Sequence, residues 1–423
     1  MPKVGITQQD QASQPATATP VTNSRRVGVG LCLSGGGFRA ALFHLGAVRR
    51  LNELGVLGQV RTISAVSGGS ITANLLADPR LVWPAEHGAS LAGADLVVQG
   101  FEECVAEPLR RLTARNVRTP ALLSKLWPSR WHMPDSAVRA LADAYVDAVP
   151  WWSKPLRDNE TGGPAIVLGA TEVAYGVDWT FADPTAQRPN GRMGDYRLGY
   201  AAPPSSVRLA DAVAASCAFP PFFAPLTLPG ADLGLTGGHP DHETPEQRAA
   251  ILEQIRLADG GVYDNLGLEP VWRNHATVLV SDGGAVFRAR AERTVWGRLL
   301  RILGVATGGG TSVRLRWLHA SFARDVMSGS TWGLDTVVPQ GYPAPVVELI
   351  DAVRTDLDAF TRDEQRVLER HGYLVADHVV RQYVPSAVRI DAPLDPPHPR
   401  VADPDVVRRA LRGSARRALL GRW

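Results

Sequence analysis

A chain of 423 residues can bury a large core, and this length suits one large domain or about two to three smaller ones. Its net charge of +3 is too small to mark a nucleic-acid binder by itself, and 45% hydrophobic content is ordinary for a soluble globular enzyme. Cys32, Cys104 and Cys217 have neither disulfide-framework nor zinc-ligand spacing, which points to a reducing, cytoplasmic setting.

Residues 1–25 are polar, lack the apolar core of a secretory signal, and are expected to be a disordered lead-in. Val27–Leu33 has strand character. Residues 38–54 follow as a helix whose apolar positions recur at helical spacing. Val60–Val66 is a second strand and Gly69–Leu76 a second helix start. Strand–helix–strand–helix in so short a span predicts parallel pairing in an α/β sheet. Residues 80–160 change character, being Trp- and Arg-rich with helices expected at 94–113 and 136–148, and read as a helical insertion over one side of the sheet. Strands are expected at Ala165–Ala170 and Thr277–Val280, and a helix at Val207–Ala215. Further helices are expected at 292–305, 312–327, 344–358 and 361–383. The chain thus divides into the lead-in, a catalytic α/β body over 26–385, and a Pro-rich linker with a basic tail over 386–423.

Two glycine-rich turns carry the chemistry. In GLCLSGGGFRA a short apolar strand runs into Gly35, Gly36 and Gly37 before a helix, which aims backbone N–H groups at negative charge. In SAVSGGS, Ser67 stands between a strand and a helix start, the geometry of a nucleophile elbow. The elbow pattern G-x-S-x-G has Ala65 in its first position, followed by Gly68 and Gly69. The spacing of the first turn fits neither a P-loop nor a dinucleotide fingerprint. Its amides therefore suit a transient oxyanion formed when Ser67 attacks a carbonyl.

No histidine stands out as the base. His44 lies on the first helix, and His239 and His242 sit in an acidic Gly/Pro loop. Two carboxylates do better, Asp259 in ADGG and Asp282 in SDGG, and on spacing alone they are equals.

Together these residues resemble the patatin-like phospholipases, whose blocks are an oxyanion motif G-G-G-x-[RK]-G, an elbow and a D-G-[GA] motif in that order. Here they are Gly35-Gly36-Gly37-Phe38-Arg39-Ala40, Ala65-Val66-Ser67-Gly68-Gly69 and Asp259-Gly260-Gly261. Ala40 and Ala65 replace family glycines. Segments 168–181 and 214–223 (AASCAFPPFF) are similar to intervening family blocks, and the VYDNLGL after Asp259 favours it over Asp282. The resemblance implies a three-layer α/β/α fold with a mostly parallel central sheet. It also implies calcium-independent hydrolysis of phospholipid acyl esters with no cofactor or metal, Ser67 as nucleophile and Asp259 as base. The amides around Gly35, Gly36, Gly37, Phe38 and Arg39 would form the oxyanion hole, and the Arg39 side chain would orient the loop or a lipid phosphate. The alternatives are a carboxylesterase or acyltransferase on other esters, and a silent lipid-binding scaffold.

Residues 404–423 carry six arginines after Asp405 and no further acid. Val407, Leu411, Ala415, Ala418 and Leu419 would form an apolar helical stripe diluted by alanine and interrupted by Gly413, which fits peripheral contact with anionic membrane or a solvated, disordered basic tail, ahead of nucleic-acid contact. The tryptophans of 80–160 are a second candidate lipid-facing surface, with core packing the simpler role for each.

Overall fold

The computed structural model describes residues 26–84, 96–126, 132–185, 188–284 and 294–423. The proposed lead-in over 1–25, Trp127 and Trp131 lie outside them. In chain order, β1 (Val29–Leu33), α1 (Gly37–Glu53), β2 (Val60–Val66) and α2 (Gly68–Leu76) open the fold. After α3 (Ser136–Ala148) come β3 (Ala165–Glu172), β4 (Val177–Ala182), β5 (Arg192–Asp195), β6 (Gly199–Ala201), α4 (Leu209–Ser216), β7 (Leu226–Leu228) and β8 (Ile255–Asp259). The chain continues through β9 (Thr277–Asp282), α5 (Val295–Ala323), β10 (Ser328–Gly333) and α6 (Arg362–Tyr383).

These strands form one sheet in the order β10-β9-β1-β2-β3-β4-β5-β6, with β8 paired to β3 and β7 to β8. The five strands from β10 to β3 are all parallel, as the alternation of strands and helices requires. Beyond β3 the pairing is antiparallel, through β4, β5 and β6 on one side and β8 on the other. These short strands were not separately legible, because their pairing is made by turns rather than by long apolar runs.

Side-chain alternation buries both faces of the parallel part. Leu31, Leu33 and Leu279 point into the larger core with α1, α2 and α6. Cys32, Val278 and Val280 point the other way, onto Leu266, Leu268, Val271 and Leu318. That is the three-layer α/β/α arrangement.

Several elements depart from expectation. The helices foreseen at 292–305 and 312–327 are one helix, α5, running through Gly308-Gly309-Gly310. Glycine there costs about 1 kcal/mol per residue against alanine, too little to break a long helix. β10 follows it where no strand was foreseen. The helix foreseen at 344–358 stops at Asp351. In the 80–160 segment, Trp83 and Trp152 are buried in the larger core, and Trp152 stands edge-on to Tyr145 at 5.9 Å. The C-terminal segment is α-helical over Pro404–Ala410 only, and Gly413, at φ 80°, turns the chain. Val407 and Leu411 of the anticipated stripe are buried against the body. Among the described residues no helix is long and apolar enough to cross a membrane.

Candidate active site

The site is built where two strands end against each other. β2 pairs with β3 as far as Val66 opposite Gly169. There its chain turns away at Ser67, and β8 takes the vacated place beside β3, running the opposite way, with Asp259 opposite Ala170. β4 occupies the other edge of β3 at this level. The last residues of β2 and β8 therefore meet nearly end to end, and Ser67 faces Asp259.

Ser67 has φ 51° and ψ −120°, a conformation that L-residues rarely adopt. Such strain persists only where surroundings hold it. Its N–H donates to Ser216 Oγ at 2.8 Å. Ser216 in turn donates to the Gly169 carbonyl at 2.6 Å and lies 2.8 Å from Ser70 Oγ. Gly68 and Gly69 are required by close packing: a Cβ on Gly68 would stand 2.1 Å from the Gly37 carbonyl, and one on Gly69 2.2 Å from that of Leu33. Ala65 lies inside β2 with its methyl in the larger core, clear of the turn.

The glycine loop lies directly against this elbow. A Cβ on Gly35 would come within 3.2 Å of Ser67 Cβ. Gly36 (φ 144°) and Gly37 (φ 63°) adopt backbone that favours glycine. The Gly35 amide donates to the Asn265 carbonyl at 3.0 Å and the Phe38 amide to that of Asp356 at 2.9 Å. Among the described contacts, the Gly36 and Gly37 amides keep no protein acceptor, and Gly37 N lies near the Gly68 turn. Arg39 is buried and donates to the carbonyls of Asp351, Val353 and Gly283. Its guanidinium ties the first turn of α1 to these two neighbouring segments. The Ala40 methyl fits because residue 283 opposite it is glycine.

Asp259 is clamped through its backbone: its N–H donates to the Ala218 carbonyl at 3.0 Å, and its carbonyl accepts from Thr171 Oγ1 at 2.8 Å. Burial pushes its carboxyl up to about 7, against the Ser67 hydroxyl and the Gly261 amide, which hold it down. The Gly261 N–H bond to Oδ1 is 2.7 Å, and the Ser67 hydroxyl is set beside the same carboxyl. Catalytic contacts of this kind commonly tighten when substrate binds. The Cys217 thiol is buried beside them, pushed up by burial and then by the Asp259 charge.

Asp282 is elsewhere, at the end of β9. Its Oδ1 accepts from Ser34 Oγ at 2.9 Å and from the Gly284 amide at 2.8 Å, so it braces the base of the glycine loop. His44 is buried between Ser281 Oγ and the Ser34 carbonyl, and burial lowers it to about 4. His239 and His242 stay in their surface loop. Ser216 went unremarked in the sequence, where nothing local separates it from other serines in a small-residue helix.

The chain matches a family model described as patatin-like phospholipase over residues 31–272. No curated protein matches it. Among solved structures, human GIVD cytosolic phospholipase A2 is similar at 16% identity and TM-score 0.36, over 61% of this chain and 46% of that one. VipD from Legionella pneumophila is similar at 13% identity and TM-score 0.32, over 85% of this chain and 67% of that one. The chain thus spans under half the length of the human phospholipase. With more than half of its length in the family match, this chain belongs to the patatin-like phospholipase family.

Proposed function

We propose that this protein hydrolyses acyl esters of glycerophospholipids through a Ser67–Asp259 dyad. The observation that carries the reading is the end-to-end meeting of β2 and β8, which sets a strained serine against a buried carboxyl poised near neutrality. Ser67 Oγ forms a bond to the ester carbonyl carbon while its proton passes to Asp259. The carbonyl oxygen takes up the negative charge and is met by the Gly36 and Gly37 amides. On collapse the lysophospholipid alcohol leaves with the proton from Asp259. Water then attacks the acyl-serine carbonyl and gives its proton to the same carboxylate; as the bond from the carbonyl carbon to Ser67 Oγ breaks, that proton returns to Oγ and the fatty acid leaves. Each charge is met by groups of this chain, so the reading is of calcium-independent chemistry. The three free, buried cysteines suit a cytoplasmic enzyme that meets its substrate at a membrane surface.

The test is acyl release from mixed phospholipid vesicles without calcium. Ser67→Ala and Asp259→Asn should both lose activity while remaining folded. Asp282→Asn keeps the oxygen that accepts from Ser34 and Gly284 and should retain most of it. Loss in Asp282→Asn with retention in Asp259→Asn would transfer the base to Asp282. Turnover confined to short soluble esters would make the protein a general carboxylesterase. Vesicle binding with no labelling of Ser67 by a fluorophosphonate would leave a silent scaffold.

A further inference from the structure

Helix α5 is poorly covered along most of its length. Its 29 residues span about 44 Å. None of its described side chains from Val295 to Trp317 is buried. Among the described contacts, anchorage lies towards the C-terminal end. Leu318 is buried in the smaller core, Trp317 stands edge-on to Trp272 at 4.7 Å, and Arg314 pairs with Asp264 at 3.5 Å while lying over the Tyr263 ring.

The side about a quarter-turn from Arg314 is apolar, and it runs towards Trp317 at the anchored end. At helical spacing Val295, Leu299, Ile302 and Val313 fall on one line, with Ala306 and Gly309 between them, and the four are 62%, 52%, 64% and 58% exposed. Single exposed apolar residues need no explanation, but a continuous stripe does. The helix carries Arg298, Arg301, Arg314 and Arg316 and no acidic residue. Arg298 and Arg316 fall along one border of the stripe, and both are exposed.

We propose that α5 is a membrane-docking helix whose outer face lies on an anionic lipid surface. The apolar stripe would enter the boundary between headgroups and acyl chains, with the bordering arginines at the phosphates. A second copy of the chain fits poorly, because packing α5 on α5 would bring Arg298 and Arg316 of the two copies to one seam, and the helix itself carries no carboxylate. The anchoring contacts give the helix its relevance. Tyr263 and Asp264 close the short turn that begins just after Asp259, so docking brings the bilayer to the part of the sheet edge that carries the site. The C-terminal segment is a weaker surface: Val407 and Leu411 are buried, leaving Leu419, Leu420 and Trp423 exposed. The purpose of docking rests on the lipid-hydrolase reading above, whereas binding itself needs no turnover.

The experiment is flotation of the full chain, carrying Ser67→Ala, with vesicles of phosphatidylcholine alone or mixed with phosphatidylglycerol. Binding should require phosphatidylglycerol and weaken with salt. It should fall about tenfold in Ile302→Glu and in the double variant Arg298→Glu/Arg316→Glu, with unchanged melting temperature. If Ile302→Glu lowers the melting temperature, the double arginine variant decides. Undiminished binding in both variants, equal binding to phosphatidylcholine alone, or loss only in Leu419→Glu/Trp423→Glu would overturn the assignment. So would a dimer in sedimentation that Ile302→Glu dissociates. Failure of the hydrolase reading would look different, as wild-type protein that floats with vesicles and releases no fatty acid.

Discussion

At Asp259 the decisive quantity is a desolvated charge. A general base must be ionised to accept a proton, and burial raises this carboxyl to about 7. kcat/KM should therefore rise with pH through about 7 and fall roughly tenfold per pH unit below it. A pH–rate profile flat from pH 5 to 8 would remove Asp259 from the role. The same shift acts on stability. A carboxyl whose folded pKa is raised favours the fold most when protonated, so its contribution is full below the unfolded value and is lost as pH rises to about 7. Asp259→Asn mimics the neutral form and should gain stability over wild type between pH 4 and 7, by up to about 4 kcal/mol, seen as a widening difference in melting temperature. Ser216→Ala would leave the buried Ser67 amide and Ser70 hydroxyl without this partner. It should cost about 1–3 kcal/mol in denaturant unfolding and lower kcat more than it raises KM.

Between elements, the site depends on how closely the glycine loop and the elbow approach. Gly68→Ala would drive a methyl into the Gly37 backbone, 2.1 Å from its carbonyl oxygen, and so displace the glycine loop from the elbow. We expect about 100-fold or greater loss of kcat, as when one oxyanion donor is removed, with circular dichroism unchanged. Retained activity would show that the loop amides do not hold the oxyanion. Both turns were legible as sequence, because a glycine cluster between an apolar strand and a helix start is a local signal. The occupied amides of Gly35 and Phe38 were not, since their acceptors, Asn265 and Asp356, come from distant loops. Nor was the brace that Asp282 gives Ser34, although SDGG was conspicuous in itself.

Across the molecule, the C-terminal segment is tied into the body. Ser414 and Arg422 both donate to Glu364, which also pairs with buried Arg354. Arg354 further holds Asp358 at 2.8 Å. Arg354→Ala would take the guanidinium away from buried Asp358 and leave Glu364 to Ser414 and Arg422, and should destabilise by about 3–5 kcal/mol in chemical denaturation. A change under 1 kcal/mol would mean that the segment is only loosely docked. Reading 404–423 as a surface helix failed because an apolar stripe has the same spacing whether it meets lipid or protein. Conversely, α5 was read as two ordinary helices, and nothing in its sequence announced that its apolar side stays uncovered. What the sequence determined by itself is local: the two glycine turns, the strained serine between strand and helix, and the alternation that makes the central strands parallel. What the tertiary structure decided is which distant groups meet. β8 enters antiparallel where β2 leaves off, so Asp259 rather than Asp282 faces Ser67. Backbone sterics act between near neighbours, whereas the desolvation that brings a carboxyl to about 7 exists only once the chain has closed around it.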